Sequence, residues 1–423
     1  MSRAEGVVVV GGGLAGLACA VRLHEAGRGV TVLESSGKVG GRVCSTAKRG
    51  FTIDRGFQVF LDAYPEAGKL LDLEALDLQS FRPGALIYRG GRLHRLMDVF
   101  RCPQFALSTA LQPIGNLRDK LLVGKMRLQA LRPSRTSPEN HNDTSTESFL
   151  RSYGFSESMI DGFFRAFYGG IFLERELRTS SRMFEFTFRM FASGRAAIPA
   201  RGMQEIPRQL AARLPSSAIR TDTKVACIEP GRIILADDTY LDADQVVVAT
   251  DAESANRLIP GLEEPPPPWR SVTGLYYTAP FSPLGEAIIA LNGEAHGLVN
   301  NVCVLSDVAS DYSPDDRALI SVSVLGLHEG GQIEGAVLNE LRAWFGAQVD
   351  AWEHLHTDQI RRALPEQTPD AASESKKAFR SHGNVLICGD HCNSASIEGA
   401  LVSGLRTADS LIASHEKSKE GPR

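Results

Sequence analysis

The sequence contains no Cys-x-x-Cys pair, no Gly-x-Ser-x-Gly turn and no strong excess of either charge. Each absence removes a class. Seven cysteines, an odd number, leave at least one thiol unpaired, so a reduced, cytoplasmic protein is expected rather than a disulfide scaffold. Without the serine elbow, a hydrolase of that type is excluded. Basic and acidic residues number 46 and 50, a net charge of −4, which gives no reason to expect nucleic acid as a partner. Long apolar runs are missing too. Gly6–Val21 is 16 residues without a charge, short of the roughly 20 needed to span a membrane, and four glycines interrupt it. A chain that is soluble, or at most peripheral on a membrane, is the expectation.

What is present is globular: 43% apolar and 23% charged residues. At about 150 residues per domain, 423 residues suggest two or three domains. Val7–Val10 is a β-branched run that reads as a parallel strand buried on both faces. A helix over Leu14–Glu25, stopped by Gly27, and a strand over Val30–Leu33 complete a βαβ unit. Between strand and helix, Gly11-Gly12-Gly13-Leu14-Ala15-Gly16 fits G-x-G-x-x-G. Those glycines allow a tight turn, approach of the backbone to a pyrophosphate, and close helix–strand contact. Glu34 ends the second strand, 18 residues past Gly16, where a carboxylate can accept from a ribose diol. The loop lacks the Lys-Ser/Thr of a triphosphatase, so a dinucleotide is expected. A second turn, Gly40-Gly41-Arg42, adds a guanidinium that can reach phosphate.

Further along, Gly84–Tyr88 reads as a strand turning at Gly90-Gly91, and residues 97–212 read as mainly helical. Pro133–Thr146 reads as a loop, and Glu263-Glu264 before four prolines as a boundary. Strands are expected at Lys224–Glu229, Val272–Thr278, Ala287–Leu291, Gly297–Val304 and Leu319–Leu325. Helices are expected at Gln332–Phe345, Trp352–Arg362 and Ile397–Ser414. His391 between Cys388 and Cys392 has no fourth ligand at a metal-site spacing, so no metal is expected.

The two ends together resemble the superfamily of flavin amine oxidases, protoporphyrinogen oxidases and phytoene desaturases. The resemblance rests on Val7–Gly16, Glu34, Gly40-Gly41-Arg42 and Ile53-Asp54-Arg55-Gly56 at the start. At the other end it rests on Cys388-Gly389-Asp390 and Ser396-Ile397-Glu398-Gly399-Ala400. It implies an α/β fold: a Rossmann-like FAD-binding domain with a parallel sheet, plus a mixed-sheet and helical substrate domain. It implies non-covalent FAD contacted by Gly11, Gly13, Leu14, Ala15, Gly16, Glu34 and Ser35 on the adenosine side. Further contacts implied are Gly40, Gly41, Arg42, Gly56, Phe57 and Gln58, with Val225 holding the adenine through its backbone. At the tail, Gly389, Asp390, Ser396, Ile397 and Ala400 are implied, Asp390 meeting the ribityl chain. The last helix would aim its N-terminus at the flavin, which favours negative charge there. Residues 1–80, 216–262 and 366–423 are then three parts of the FAD domain. Residues 81–215 are a helical part of the substrate domain and 263–365 its sheet.

The implied reaction is removal of hydride from a lipophilic substrate. Amine oxidases of the family place an aromatic residue just before the Glu-Gly-Ala helix. Ala395-Ser396-Ile397 stands there instead, so a cation loses its π face and isoprenoid or carotenoid-type desaturation is expected. Amine or porphyrinogen oxidation is the alternative, and a flavin-bearing binding protein with little turnover a third. No catalytic acid or base is assigned, since the flavin carries the chemistry. Nine of the chain's 30 aromatic residues fall in Phe163–Phe191. Phe163, Phe164, Phe167 and Tyr168 are therefore expected to wall a tunnel, with an ordinary helical core as the alternative. Arg82–Arg135 holds 11 basic residues against two acidic ones. Within it, Ile114, Leu117, Leu121, Leu128 and Leu131 alternate with Arg118, Lys120, Lys125 and Arg127 on an expected helix, a pattern suited to an anionic membrane surface or to a solvated face.

Overall fold

The computed structural model of the chain describes residues 6–132, 143–262, 265–328, 331–370 and 379–420. The sequence readings over 133–142 and at Glu263-Glu264 lie outside the described residues.

Val7–Val10 does form a strand, with every side chain buried, and the Leu14–Glu25 helix leaves it through the glycine loop. The sheet around it has six strands. Their order is Ile219–Arg220, Val30–Leu33, Val7–Val10, Gln245–Val248, Val385–Ile387, Arg380–His382. All neighbours are parallel except the last pair. Strands distant in sequence therefore meet beside one glycine loop, as in a doubly wound α/β sheet. The Ile397–Glu420 helix packs against the Leu14–Glu25 helix, with Leu401, Ala408 and Leu411 in the same core as Leu17, Cys19 and Val21. Val225–Glu229 stays out of this sheet and builds a three-stranded antiparallel one with Arg232–Leu235 and Tyr240–Asp242.

The second large sheet has seven strands. Their order is Glu353–Pro365, Trp269–Ala279, Ala318–Leu325, Val299–Val304, Ile289–Asn292, Gly84–Arg89, Arg92–Met97. Alternation gives it two apolar faces. On Gly84–Arg89, Leu86 faces a cluster with Val337 and Leu341 of the Ile333–Phe345 helix. Ala85 and Ile87 face Phe164, Tyr168 and Phe184 of the aromatic helices.

One expectation fails here. Trp352–Arg362 is not a helix: Glu353–Pro365 is an edge strand, antiparallel to Trp269–Ala279. Its Glu, His, Gln, Arg and Ala content favours helix locally, but weak propensities of this kind yield to tertiary context. Pairing along the eleven residues of Trp269–Ala279, and burial of Leu355 and Ile360, decide the outcome.

Candidate functional site

The glycine loop, the tail and the aromatic helices border one continuous cavity of about 1240 Å³. At its first end, Gly11 has φ +109°, and a Cβ on Gly16 would lie 2.0 Å from the Gly11 carbonyl oxygen. Gly16 thus lets the helix start press on the loop and does not itself line the cavity. Gly11, Gly13, Leu14 and Ala15 do line it. A Cβ on Gly13 would meet nothing within 4 Å, which leaves the loop's inner side open.

Glu34, beside Ser35 in the cavity wall, is 8% exposed. Its Oε1 accepts from the Ser36 amide (2.8 Å) and hydroxyl (2.7 Å), while Oε2 accepts only from the Gly12 amide (2.8 Å). A carboxylate oxygen has two lone pairs, so Oε2 retains one acceptor position. Val225 lies outside the cavity wall; Thr223, two residues earlier, donates its amide to the Glu34 carbonyl (2.8 Å).

Gly40, Gly41 and Arg42 follow along the wall, with Gly56, Phe57 and Gln58 beside them. Gln58 donates to the Arg42 carbonyl (2.9 Å) and so holds the second glycine turn. The Arg42 guanidinium makes a two-pronged pair with Asp390 (2.6 and 2.8 Å) and donates to the Ala363 carbonyl (3.1 Å). The two chain ends are therefore joined inside the cavity by a fork geometry that suits carboxylate and phosphate alike. Gly389 and Asp390 form the next part of the wall, then Ser396, Ile397 and Ala400. Ser396 caps the tail helix by accepting from the Gly399 amide (2.9 Å), and the first turn of that helix faces the cavity.

Asp54 and Glu398 belong to the resembling motifs but serve the scaffold. Asp54 is buried and accepts from Tyr312 (2.7 Å), Ser45 (2.5 Å) and the Met203 amide (3.0 Å). Burial pushes its pKa up, although these three donors oppose the shift. Glu398 accepts from the Glu66 and Ala67 amides (2.8 and 3.0 Å), tying the tail helix to residues 66–67.

The far half of the cavity is aromatic. Phe163, Phe164, Phe167 and Tyr168 line it with Phe188 and Phe191. Phe167 stacks on Phe163 with centroids 5.5 Å apart and meets Phe191 at 5.2 Å. Phe163 and Phe164 sit on a π-helical turn, Ile160–Phe164, inside an otherwise α-helical run to Phe172. The segment also fills the helical core, where Phe164, Phe172 and Phe184 are buried. The floor is polar at one place, where Asn301 and Ser323 are cross-strand partners and the Asn301 amide reaches Ser323 Oγ (3.3 Å).

Sequence reasoning missed three contributions to the wall. Gln359–Leu364 comes from the strand misread as a helix. Asn301 and Ser323 come from central strands and carried no local signal. Lys120, Val123, Gly124 and Arg127 line it from the Leu117–Ala130 helix at i, i+3, i+4, i+7, a spacing that was legible.

These features fit FAD. The carboxylate with an open acceptor, the loop with room at Gly13, the guanidinium and the helix N-terminus all line the same cavity, and each is a group that a dinucleotide can use.

His391, next to Asp390, is buried with Nδ1 lacking a partner, and burial pushes its pKa down to about 4. The folded chain therefore needs a neutral imidazole. Stability from this group is complete above pH 6.5 and is lost as pH falls toward 4, by roughly 3 kcal/mol across that window. His391→Gln is expected to flatten that part of a melting-temperature profile; an unchanged slope would mean another group sets it.

Comparison with known proteins adds four findings. The family model described as flavin containing amine oxidoreductase matches residues 14–412. Protoporphyrinogen oxidase 2, chloroplastic/mitochondrial, of Arabidopsis thaliana is 29% identical over 176 residues, covering 39% of this chain and 32% of that protein. Phytoene dehydrogenase of Streptomyces griseus is 27% identical over 297 residues, covering 62% of this chain and 58% of that protein. The matches thus span less than two thirds of these relatives' lengths. Among solved structures, an oxidoreductase from Methanosarcina mazei superposes with a TM-score of 0.73 at 18% identity, covering 95% of this chain and 99% of that one. That likeness speaks to the fold.

Proposed function

The chain belongs to the flavin containing amine oxidoreductase family, and from that premise we propose that it is an FAD-dependent enzyme that desaturates a large lipophilic substrate of isoprenoid or carotenoid type. Its cofactor is FAD. Bound there, FAD supplies the acceptor for a hydride taken from a substrate C–H bond. Glu34 would hold the adenosine ribose, the Gly13 turn and Arg42 the phosphates, and Asp390 with the first turn of the tail helix the isoalloxazine end. The aromatic half would bury the substrate and exclude water, at about 25 cal/mol per Å² of apolar surface.

One observation carries the reading: the cofactor cradle opens directly into an aromatic chamber within the same cavity. Two others support it. The tail offers Ala395-Ser396-Ile397 where an amine cage would want an aromatic ring. The acids in the wall are already engaged, Asp98 by Arg127 (2.8 Å), Asp251 by Arg362 (3.0 Å) and Asp390 by Arg42. No lining carboxylate among the described residues is left over for a substrate ammonium, Glu34 belonging to the cofactor end. A second reading, oxidation of a porphyrinogen, is favoured by the charge balance of this part of the wall: Arg101, Lys120 and Arg127 stand against one carboxylate, Asp98, and the remaining positive charge suits a substrate bearing carboxylates.

Anaerobic mixing separates these. Phytoene in detergent is expected to bleach the visible flavin band, and benzylamine or putrescine to leave it unchanged. Rapid bleaching by either amine, with none by any isoprenoid, would move the chain to amine oxidation. Bleaching by protoporphyrinogen alone would select the second reading, and bleaching by nothing tested would make the chain a flavin-bearing binder.

A further inference from the structure

Eight large apolar side chains are exposed among the described residues, and seven of them lie between Phe100 and Leu131. The exceptions to burial are thus concentrated in one place, the kind of apolar patch that marks a docking surface. Leu117, Leu121, Leu128 and Leu131 are each 47% exposed or more. At about 100° per residue they project within about 40° of a single line along the Leu117–Ala130 helix and its cap. Arg118, Lys125 and Arg132 flank that line on one side, Lys120 and Arg127 on the other. Leu107 and Leu111, 73% and 76% exposed, sit on the preceding helix, Ala106–Leu111. Lys120 ties the two helices together by donating to the Ala110 and Gln112 carbonyls (2.8 Å each).

Charge identifies the occupant. Residues 99–132 contain six Lys and Arg and a single carboxylate, Asp119. Asp119 is 1% exposed and spends its oxygens on the Asn116 amide and on Ser156. Asp98, at the edge of this stretch, pairs with Arg127 (2.8 Å) and Arg101 (3.7 Å), so Arg118, Lys125 and Arg132 are the cations that the face presents beside its leucines. A protein partner would need a matching acidic and apolar surface, whereas an anionic bilayer supplies phosphate and hydrocarbon together.

The cavity wall includes an exposed residue at this same place. Phe100 lines the cavity and is 52% exposed, and Gly124, one turn from Leu121 and Leu128, lines it with no side chain. A Cβ on Gly124 would lie 3.4 Å from the Phe100 ring, in ordinary contact, so a side chain much larger than alanine would fill the space beside Phe100.

We propose that the leucine face around Leu107–Leu131 seats on an anionic lipid bilayer, and that the cavity mouth at Phe100 and Gly124 opens against hydrocarbon, so that substrate enters from the membrane without crossing water. The delivery half rests on the lipophilic-substrate reading; the docking half does not.

FAD-loaded protein is floated with vesicles of phosphatidylglycerol and phosphatidylcholine, and with phosphatidylcholine alone. Flotation is expected with the anionic vesicles at low salt and is expected to fall toward 1 M salt, where the screening length is about 3 Å. Leu117→Ser with Leu121→Ser and Leu128→Ser is expected to cut bound protein by about tenfold or more, without changing flavin content or flavin reduction by phytoene in detergent. Arg118→Gln with Lys125→Gln and Arg132→Gln is expected to remove the preference for anionic lipid. Protein that stays unbound at low salt overturns the proposal, as does a dimer in sedimentation that the leucine changes dissociate, which would assign the face to a second copy. Gly124→Trp then tests delivery. It is expected to leave flotation intact and slow flavin reduction by phytoene carried in the vesicles about tenfold or more. An unchanged rate overturns the entry route. Flotation with no reduction by any lipophile, even in detergent, would instead count against the substrate reading and leave docking standing.

Discussion

Glu34→Ala is expected to weaken FAD binding by roughly one to two orders of magnitude, because a hydrogen bond to a charged group contributes about 1.5–3 kcal/mol. The substitution acts twice. It removes the acceptor position left open on Oε2, and it releases the Gly12 amide that Oε2 holds at 2.8 Å. The Ser36 amide loses its partner as well, and the Ser36 hydroxyl keeps only the Lys38 carbonyl, so the loop around the phosphates loses part of its fixed shape. Glu34→Gln keeps one acceptor and the side-chain size, and should fall between wild type and Glu34→Ala. Titration of FAD into apoprotein, followed by quenching of flavin fluorescence, measures both. Equal affinity in all three proteins would remove Glu34 from the cofactor site.

Phe164→Ala and Phe167→Ala should part company, although the rings are three residues apart and line the same chamber. Phe164 is fully buried and contacts Phe155, Phe163, Tyr168 and Phe184 with centroids between 4.8 and 6.2 Å. Its loss leaves a hole in the helical core, at a cost of about 3–5 kcal/mol. Phe167 is only half-buried and spans Phe163 and Phe191 across the chamber wall. Removing it enlarges the chamber with less loss of core. The expected outcome is a large drop in unfolding free energy for Phe164→Ala with FAD content following stability. For Phe167→Ala the expected outcome is a changed preference for substrate length at near-normal FAD content. Denaturant melts and a chain-length series measure the two; a small stability loss at Phe164 would show that its ring is wall and not core.

The sequence alone determined the elements whose residues leave little choice. Val7–Val10 is β-branched throughout, and the Leu14–Glu25 helix has the bounds expected between its glycine loop and Gly27. The Gly-Asp and Glu-Gly-Ala runs marked the tail as a partner of the N-terminal loop, and the structure brings them to the two sides of the Arg42–Asp390 pair. The strand and the helix are local signals, set by backbone sterics and by the spacing of apolar side chains, whereas the tail's partnership was implied by the family resemblance of its motifs.

Tertiary structure decided what local chemistry left balanced. Glu353–Pro365 became a strand because Trp269–Ala279 offered it a ladder of hydrogen bonds, which no window of its own sequence contains. Asn301 and Ser323 entered the cavity wall only because their strands are neighbours in register. The Leu117–Ala130 helix was legible as basic with leucines at helical spacing, although Ile114, read as part of that pattern, lies ahead of the helix and is buried. What its own pattern did not contain was that Lys120, Val123, Gly124 and Arg127 face a cavity while its leucines are left uncovered. Periodicity fixes which residues share a face; only the elements packed around a helix determine what each face meets.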